Sequence, residues 1–278
     1  MIKTIAPALA FTLLGFVPAA AQTEGYDSRS FARLSYVSGD VFVQRPGDMG
    51  YEAGTVNLVL VEGDKLGVQS GRLEVSFGQW NVLRLDGFSQ AEFVNLPRDA
   101  AQPYKLHLHS GSAYLRLNRL SSDREFEIHT PDASLYVLTE GLFRLDVLEN
   151  GQTRIAVIEG EAEASGEERS HTLRRGESVT LADGRFLSGP SVDRAGLDDF
   201  GQWSRSRDGL MARNRSSSYL PEELYEYESE LADHGDWRYE ADYGYVWVPR
   251  VRAYVDWRPY YYGRWVWYPI IGWTWIAD

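Results

Sequence analysis

Apolar and polar side chains alternate in short segments throughout residues 31 to 188. Alternation with a period of two is typical of a strand that buries one face, because successive side chains of a strand point to opposite sides of the sheet. Glycines, and Asp-Gly or Asn-Gly turns at positions 86, 150 and 183, separate the segments. The pattern predicts strands at residues 36–44, 72–77, 82–85, 104–109, 113–117, 125–129, 134–138, 142–148, 154–158, 161–164 and 178–181.

No amphipathic helix interrupts these segments, so we predict a mainly β fold for this part of the chain. Short strands that are separated by regular turns occur in sandwiches, in barrels and in β-solenoids. Periodicity does not choose among the three architectures, and all of them stay open.

Residues 191 to 235 follow a different, more polar pattern. Leu197, Phe200 and Trp203 recur at the spacing of an amphipathic helix that starts near Asp193. Pro221 and the two glutamates after it predict the first turn of a second helix, which ends near Gly235. We interpret this region as a short helical connector that packs lightly on its neighbours.

Residues 237 to 278 contain seven of the chain's nine tryptophans. Glycines at 244, 263 and 272 each precede two aromatic residues at alternate positions, which share one face of a strand. The rings could form the core of a small β module, or some could stay exposed and stack on sugars or on a partner's apolar patch. The candidate ligand- or partner-binding residues are Tyr245, Trp247, Trp257, Arg258, Trp265, Trp267, Trp273 and Trp275.

The N-terminus indicates the compartment. Lys3 precedes an apolar run from Ile5 to Val17, and Pro18 leads into three alanines that end at Ala21. This pattern is typical of a secretory signal peptide that is cleaved after Ala21. No later segment is long and apolar enough to span a bilayer, so we expect a periplasmic or secreted protein without a stable membrane span.

Charge and cysteine content exclude several classes of protein. The formal net charge is −12, and nucleic-acid or anionic-membrane partners need a basic face. The chain has no cysteine, which excludes a disulfide framework and a lipidated cysteine after the signal. Folding therefore depends on core packing.

Candidate catalytic and metal-binding residues are few. His107 and His109 share one strand face without a completing carboxylate pair, and we interpret them as solvent-facing. Glu159, Glu161 and Glu163 also alternate, without the Asp-rich spacing of a calcium loop. Serine-hydrolase, Walker, dinucleotide and zinc-protease motifs are all missing. We therefore expect no catalytic residue, metal or cofactor.

The run from His129 to Gly166 resembles the core of a FecR-type periplasmic domain. The matching features are Thr-Pro before a strand, Gly-x-Phe, Gly-x-Thr and Val-x-Glu-Gly, and an upstream half with Gly63, Asp64 and Gly71. Leu142 stands where the family commonly has threonine. The resemblance implies a β-rich, solenoid-like fold and a non-enzymatic role. Signalling members relay the state of an outer-membrane transporter to a cytoplasmic sigma factor. Only four residues precede the apolar run here, so we expect no anti-sigma arm.

Residues 217 to 278 resemble an uncharacterised envelope domain that often follows a FecR-type domain in Gram-negative bacteria. The aromatic and glycine positions of YGYVWVPR, WRPYYYGRWVW and GWTWIAD match in order. The family's repeat usually continues through further Trp-Gly units, so the resemblance leaves a complete and a truncated module open.

The predicted organisation is a signal peptide at 1–21, a FecR-type β domain at 31–188, a helical connector at 191–235 and an aromatic module at 236–278. We predict a non-catalytic envelope protein that binds an envelope polysaccharide or an envelope protein. The alternatives are a glycan-acting envelope enzyme, which would need a cleft with two carboxylates, and a periplasmic signal-sensing component without its own anti-sigma domain.

Overall fold

The structure of the protein is a computed structural model that describes residues 31–78, 80–97, 102–192, 198–214, 227, 231, 235–250, 263–268 and 272–277. The predicted signal sequence and most of the predicted second helix lie outside these ranges.

Strands dominate the described residues, which confirms the predicted mainly β fold. The strands of the first part of the chain are β1 (Ala32–Gln44), β2 (Glu52–Ala53), β3 (Val59–Leu60), β4 (Lys65–Phe77), β5 (Asn81–Leu85), β6 (Ser89–Asn95), β7 (Tyr104–Leu117), β8 (Phe126–His129), β9 (Ser134–Val137), β10 (Gly141–Val147), β11 (Thr153–Glu159), β12 (Glu161–Ser165), β13 (Ser170–Arg174), β14 (Glu177–Ala182), β15 (Arg185–Phe186) and β16 (Ser191–Val192). They are followed by helix α1 (Asp199–Asn214), β17 (Gly235–Glu240), β18 (Gly244–Pro249), β19 (Gly263–Tyr268) and β20 (Gly272–Ala277).

The first sixteen strands form one hydrogen-bonded network that folds over into two halves. One half, which we call sheet one, consists of β5, β10, β11, β14 and residues 32–38, 72–77 and 111–117. The other half, which we call sheet two, consists of β6, β8, β9, β12, β13 and residues 40–44, 65–68 and 104–108. The long strands β1, β4 and β7 therefore belong to both halves.

The two sheets face each other across one apolar core. Leu115, Phe143 and Ile155 of sheet one and Leu106 and Leu135 of sheet two belong to the same cluster of buried side chains. Neighbouring strands pair antiparallel, with the parallel pair β7–β8 as the exception among the strands that the structure describes. This arrangement is a sandwich with bent, shared strands, whereas a parallel β-solenoid stacks its strands in parallel.

Glycines stand where the chain crosses from one sheet to the other. Gly39 and Gly71 are partners in the β1–β4 register, with φ angles of 78° and 84°. A Cβ atom on Gly71 would clash with the carbonyl oxygen of Ser38, so the two backbones touch at the bend. Only glycine combines this φ range with so close an approach at little cost.

The predicted strand boundaries differ from the structure mainly at such bends. The predicted strands 104–109 and 113–117 are one strand, β7, which continues through Gly111 at a φ of 79°. Strands β6 and β13 were not predicted: the buried positions of β6 include Ser89 and Ala91, which weaken the apolar alternation, and β13 has a single buried residue, Leu173. The hairpin turns at Asn150 and Asp183 are confirmed between β10 and β11 and between β14 and β15.

Two hairpins form the described end of the chain. Strands β17 and β18 pair antiparallel, and so do β19 and β20. None of the helical segments among the described residues is long and apolar enough to cross a bilayer.

Replacing Gly71 by alanine tests the importance of the backbone contact at the bend. We expect Gly71→Ala to lower the free energy of unfolding in urea by about 1–3 kcal/mol, because the new Cβ clashes with Ser38 and the backbone is left-handed. Gly67→Ala is the matched control, since Gly67 lies on the same strand with open space around its Cβ. Equal stability of both variants would contradict the proposed role of the bend.

Candidate functional site

The first C-terminal hairpin presents a row of four rings on one face. Tyr239 lies opposite Tyr245, and Trp237 lies opposite Trp247. The two tyrosine rings meet edge to face with centroids 5.5 Å apart, and they are 67% and 50% exposed. The indole Nε1 of Trp247 donates a hydrogen bond to the carbonyl oxygen of Leu231 at 2.9 Å, so one end of the row is anchored and the other is open to solvent.

The second hairpin is seated on the β domain by one face and exposes the other. Val266 packs against Phe31 and Val59 at the edge of sheet one. Trp265 and Trp267 flank Val266 in the strand and therefore point to the opposite side. Their side chains are 50% and 57% exposed, while Trp265 contacts the ring of Trp275 at 5.5 Å.

The predicted binding residues thus fall into groups. Tyr245, Trp265 and Trp267 are exposed, whereas Trp247 and Trp275 are half-buried. Trp273 pairs with Trp267 in the β19–β20 register. Trp257 and Arg258 lie outside the described residues. Packing into a ring core thus describes Trp247 and Trp275, whereas exposure for binding describes the other three.

A charged row on the outer face of sheet one was missed by the sequence analysis. Glu74, Arg84, Tyr114 and Arg144 are successive partners across four strands, and all of them are buried. Charged residues at outward-facing strand positions normally meet solvent. Their burial indicates that another element covers this face, and that element is α1.

Helix α1 closes the face with complementary charges. Arg84 donates to Glu74 at 2.9 Å and to the Ser204 hydroxyl at 2.8 Å. Arg207 of the helix donates to Glu74 at 2.7 Å. Burial alone would raise the pKa of Glu74, but the hydrogen bond from Arg207 and the positive charges of Arg84 and Arg207 outweigh it and hold this pKa below its ordinary value.

The N-terminal end of α1 is fixed in the same way. Asp198 accepts a hydrogen bond from the Gly201 amide at 2.8 Å, as an N-cap residue does, and pairs with Arg144 at 2.7 Å. Phe200 is buried against Tyr114, with ring centroids 4.9 Å apart. The helix starts at Asp199 rather than near Asp193, and it packs much more closely than a loose connector. The predicted stripe residues Phe200 and Trp203 lie on the docked face, and the polar residues Ser204 and Arg207 beside them add hydrogen bonds that the stripe does not reveal.

The outer face of sheet two carries three histidines. The rings of His107 and His109 lie 4.1 Å apart, and His109 and His129 contact Glu92 and Glu127 at 3.2 and 3.1 Å. Burial, together with His109 and His129, lowers the pKa of His107. Among the described residues, no group of three His, Cys, Asp or Glu has a geometry that could hold a metal ion.

The row of three glutamates and the buried Asp64 both have a structural explanation. Gly160 bends the chain, so that Glu159 lies on sheet one while Glu161 and Glu163 lie on sheet two, contrary to the prediction that the three share a face. Asp64 is buried, which raises its pKa to about 6, and it accepts hydrogen bonds from Arg45 and the Val61 amide. The Gly-Asp motif thus fixes a loop beside sheet two.

Two shallow grooves meet at Phe88. The first, of about 490 Å³, is lined by residues that include Phe42, Tyr51 and Gln90. The second, of about 510 Å³, is lined by residues that include Trp203 and Asp86. Neither groove contains the two carboxylates that a glycosidase requires.

Two segments of the chain match known protein families. Residues 65–163 match the FecR protein family, and residues 228–278 match a family of unknown function, DUF6600. Both predicted resemblances are therefore confirmed. A search among curated proteins gave no match.

Two solved structures, both of a proposed anti-sigma factor from Parabacteroides distasonis, are similar to part of the chain. The first is 17% identical and covers 47% of this chain and 60% of its own, so the similarity spans less than two thirds of that protein. The second is 15% identical and covers 66% of this chain and 98% of its own. The TM-score is 0.41 in both cases.

Replacing Glu74 tests whether the buried charges hold α1. At neutral pH we expect Glu74→Gln to lower the free energy of unfolding by about 3 kcal/mol, because Arg84 and Arg207 both lose their ion pair with the buried Glu74 carboxylate while Arg84 keeps Asp208. The folded-state pKa of Glu74 lies below its ordinary value of 4.5. Its stabilising contribution is therefore present above about pH 4.5 and is lost as the pH falls through the folded-state pKa.

Unfolding should be followed in urea between acid and neutral pH. Glu168→Gln is the control, because the Glu168 side chain is 72% exposed and its pairing with Arg185 is long, at 3.7 Å. If the difference between Glu74→Gln and the wild type were small at neutral pH, or grew as the pH fell, the account of the docked helix would be wrong.

Proposed function

We propose that this chain, a FecR-type protein with a C-terminal domain of unknown function, is a non-catalytic envelope protein that binds a glycan or a protein partner. The binding surface is the exposed ring face of the two C-terminal hairpins, and the β domain with its docked helix is the rigid support. The observation that carries the proposal is the exposure of Trp265 and Trp267 on a hairpin that is itself seated through Val266.

The energetics favour binding by these rings. A tryptophan side chain can bury roughly 150–250 Å², and about half of each ring face is still accessible in Trp265 and Trp267. Covering the accessible half of one ring removes about 100 Å² of apolar surface from water, which contributes about 2–3 kcal/mol. Two adjacent rings therefore contribute about 4–6 kcal/mol toward the cost of associating with a sugar chain or a partner's apolar patch.

Several observations support a binding role over a catalytic one. The FecR match covers most of the β domain, and both described grooves lack a pair of carboxylates. Asp64, an acid whose pKa burial raises to about 6, is engaged by Arg45 and the Val61 amide. In this proposal the chain is exported by its N-terminal signal and works in the periplasm or outside the cell.

The exposed tryptophans should control retention on envelope material. We expect the Trp265→Ala, Trp267→Ala double variant to bind purified peptidoglycan or envelope extract at least about tenfold more weakly than the wild type, because it loses two ring faces. Sedimentation assays with the full chain measure this.

Leu187→Ala is the matched control, since Leu187 is 57% exposed, like Trp267, but lies on the β domain. It should bind as the wild type does. No retention of the wild type on either material, or equal retention of the folded double variant, would remove the proposal.

A second candidate function is signal sensing. It is favoured by the match of residues 65–163 to the FecR family, whose signalling members act with outer-membrane transporters. In this alternative the β domain, rather than the C-terminal rings, contacts the partner protein.

Co-purification separates the two candidates. If the protein senses a transporter, tagged full chain from cross-linked envelopes should enrich an outer-membrane transporter, and the enrichment should survive the Trp265→Ala, Trp267→Ala change because residues 263–268 lie outside the FecR match. If the wild-type chain enriched no transporter from the cross-linked envelopes, the result would contradict signal sensing.

A further inference from the structure

Phe88 is an exposed aromatic residue in a strained backbone conformation. Its side chain is 81% exposed, and its φ angle is 60°. A bulky residue rarely adopts the left-handed region, and an exposed ring gains little from burial to offset the cost. Such a strained position persists only where the surrounding structure enforces it, and it is a reason to look for a function.

The surrounding structure does enforce this conformation. Phe88 is the last residue of the short turn between β5 and β6. This turn packs between the bend of β4 and the bend of β7. Gly111, at the bend of β7, leaves no space for a side chain beside the carbonyl oxygen of Phe88, and Gly87 lies close to the backbone of Gly71 at the bend of β4. These backbone contacts therefore fix Phe88 at the line where the two sheets meet, and its ring is exposed to solvent.

The two grooves that share Phe88 have walls of different origin. In the first, Phe42, Gly67 and Gln90 are register partners on the outer face of sheet two. Because Gly67 has no side chain, it forms the floor between the other two. In the second, the walls include Tyr36 of sheet one and Trp203 of α1, whose rings lie 5.5 Å apart. A ligand that occupies both grooves crosses over Phe88.

The lining combines ring faces with neutral hydrogen-bonding groups. Gln69 and Gln90 contribute amides to the first groove, and Ser38 and Ser70 contribute hydroxyls to the second. This mixture fits a ligand that has apolar C–H faces and many hydroxyl groups. A purely apolar partner would desolvate the amides of Gln69 and Gln90 without offering them a hydrogen bond, which is costly.

The charges of the grooves favour a neutral ligand. Arg72 and Asp86 line the second groove, and they pair with each other at 2.8 Å. Arg72 also lies over the ring of Trp203, with its guanidinium carbon 5.4 Å from the ring centroid. The groove thus offers no net charge to a phosphate or to an acidic peptide, and the chain's charge of −12 opposes polyanions in general.

We propose that the two grooves on either side of Phe88 are a binding site for a neutral saccharide chain, which stacks on Phe88 and hydrogen-bonds to the amides and hydroxyls of the lining. The site is distinct from the C-terminal rings and lies entirely on the β domain and α1. Each groove has a volume within the range of about 300–1,000 Å³ that is usual for ligand pockets.

Two substitutions can remove the site without removing the fold. Phe88→Gly deletes the ring and relieves the backbone, because glycine adopts positive φ readily, so its melting temperature should equal or exceed that of the wild type. Gly67→Leu fills the floor of the first groove, where an added side chain meets open space.

The experiment is titration calorimetry of the full chain with three soluble oligosaccharides: tri-N-acetylchitotriose, cellotriose and maltotriose. We expect the wild type to bind at least one of them with a Kd of about 1 mM or tighter. Phe88→Gly and Gly67→Leu should each weaken that binding about tenfold or more. The Trp265→Ala, Trp267→Ala variant should bind as the wild type does, which separates this site from the C-terminal rings.

Three results would overturn the proposal. The first is a wild type that binds none of the three oligosaccharides, and the second is undiminished binding by folded Phe88→Gly and Gly67→Leu. The third is a concentration-dependent dimer of the wild type that Phe88→Gly abolishes, since the surface would then join two copies of the chain. If Phe88→Gly and Gly67→Leu bound normally and the double tryptophan variant lost binding, the sugar would bind at the C-terminal rings instead. The proposed function of those rings would then still hold.

Discussion

The contact between the backbones of Gly39 and Gly71 is the constraint on which the rest of the molecule depends. It allows β1 and β4 to bend together, so that one continuous network of strands can fold into two facing sheets over a shared core. The same line of bends seats the turn that presents Phe88. A fold without disulfides needs such exact packing, because no covalent cross-link can hold the layers together.

The bent sandwich also leaves two very different outer faces. On sheet one, Glu74, Arg84 and Arg144 are buried beneath α1, and their charges are balanced by Arg207, Asp208 and Asp198 of the helical segment. On sheet two, the histidines and their glutamate partners are only partly buried. Pairing of this kind costs desolvation on both sides, but it specifies one position of the helix, as a loosely apolar contact would not.

The β fold could be predicted from the sequence because alternation is a local property of each strand. The turns at Asn150 and Asp183 could be predicted for the same reason. The bends could not, since Gly111 within β7 has the same local pattern as a glycine between two separate strands, and only the pairing of both halves with neighbouring strands distinguishes them. The predicted apolar stripe includes Phe200 and Trp203, which do lie on the docked face of α1. The polar contacts of Ser204 and Arg207 on that face escaped prediction, because they bind charges that lie far away in the sequence. At the candidate site, glycine spacing predicted which rings share a face, but the exposure of Trp265 depends on where Val266 packs, and that contact joins distant parts of the chain.

We propose that this protein works by presenting aromatic rings that a partner covers. Hydroxyl-radical footprinting of the full chain, read by mass spectrometry with and without purified envelope material, measures this directly. We expect Trp265 and Trp267 to be oxidised readily in the free protein and to become protected when envelope material is added, while the exposed Leu187 is oxidised equally in both samples. Rings that are already protected in the free protein, or that are oxidised to the same extent in both samples, would contradict it.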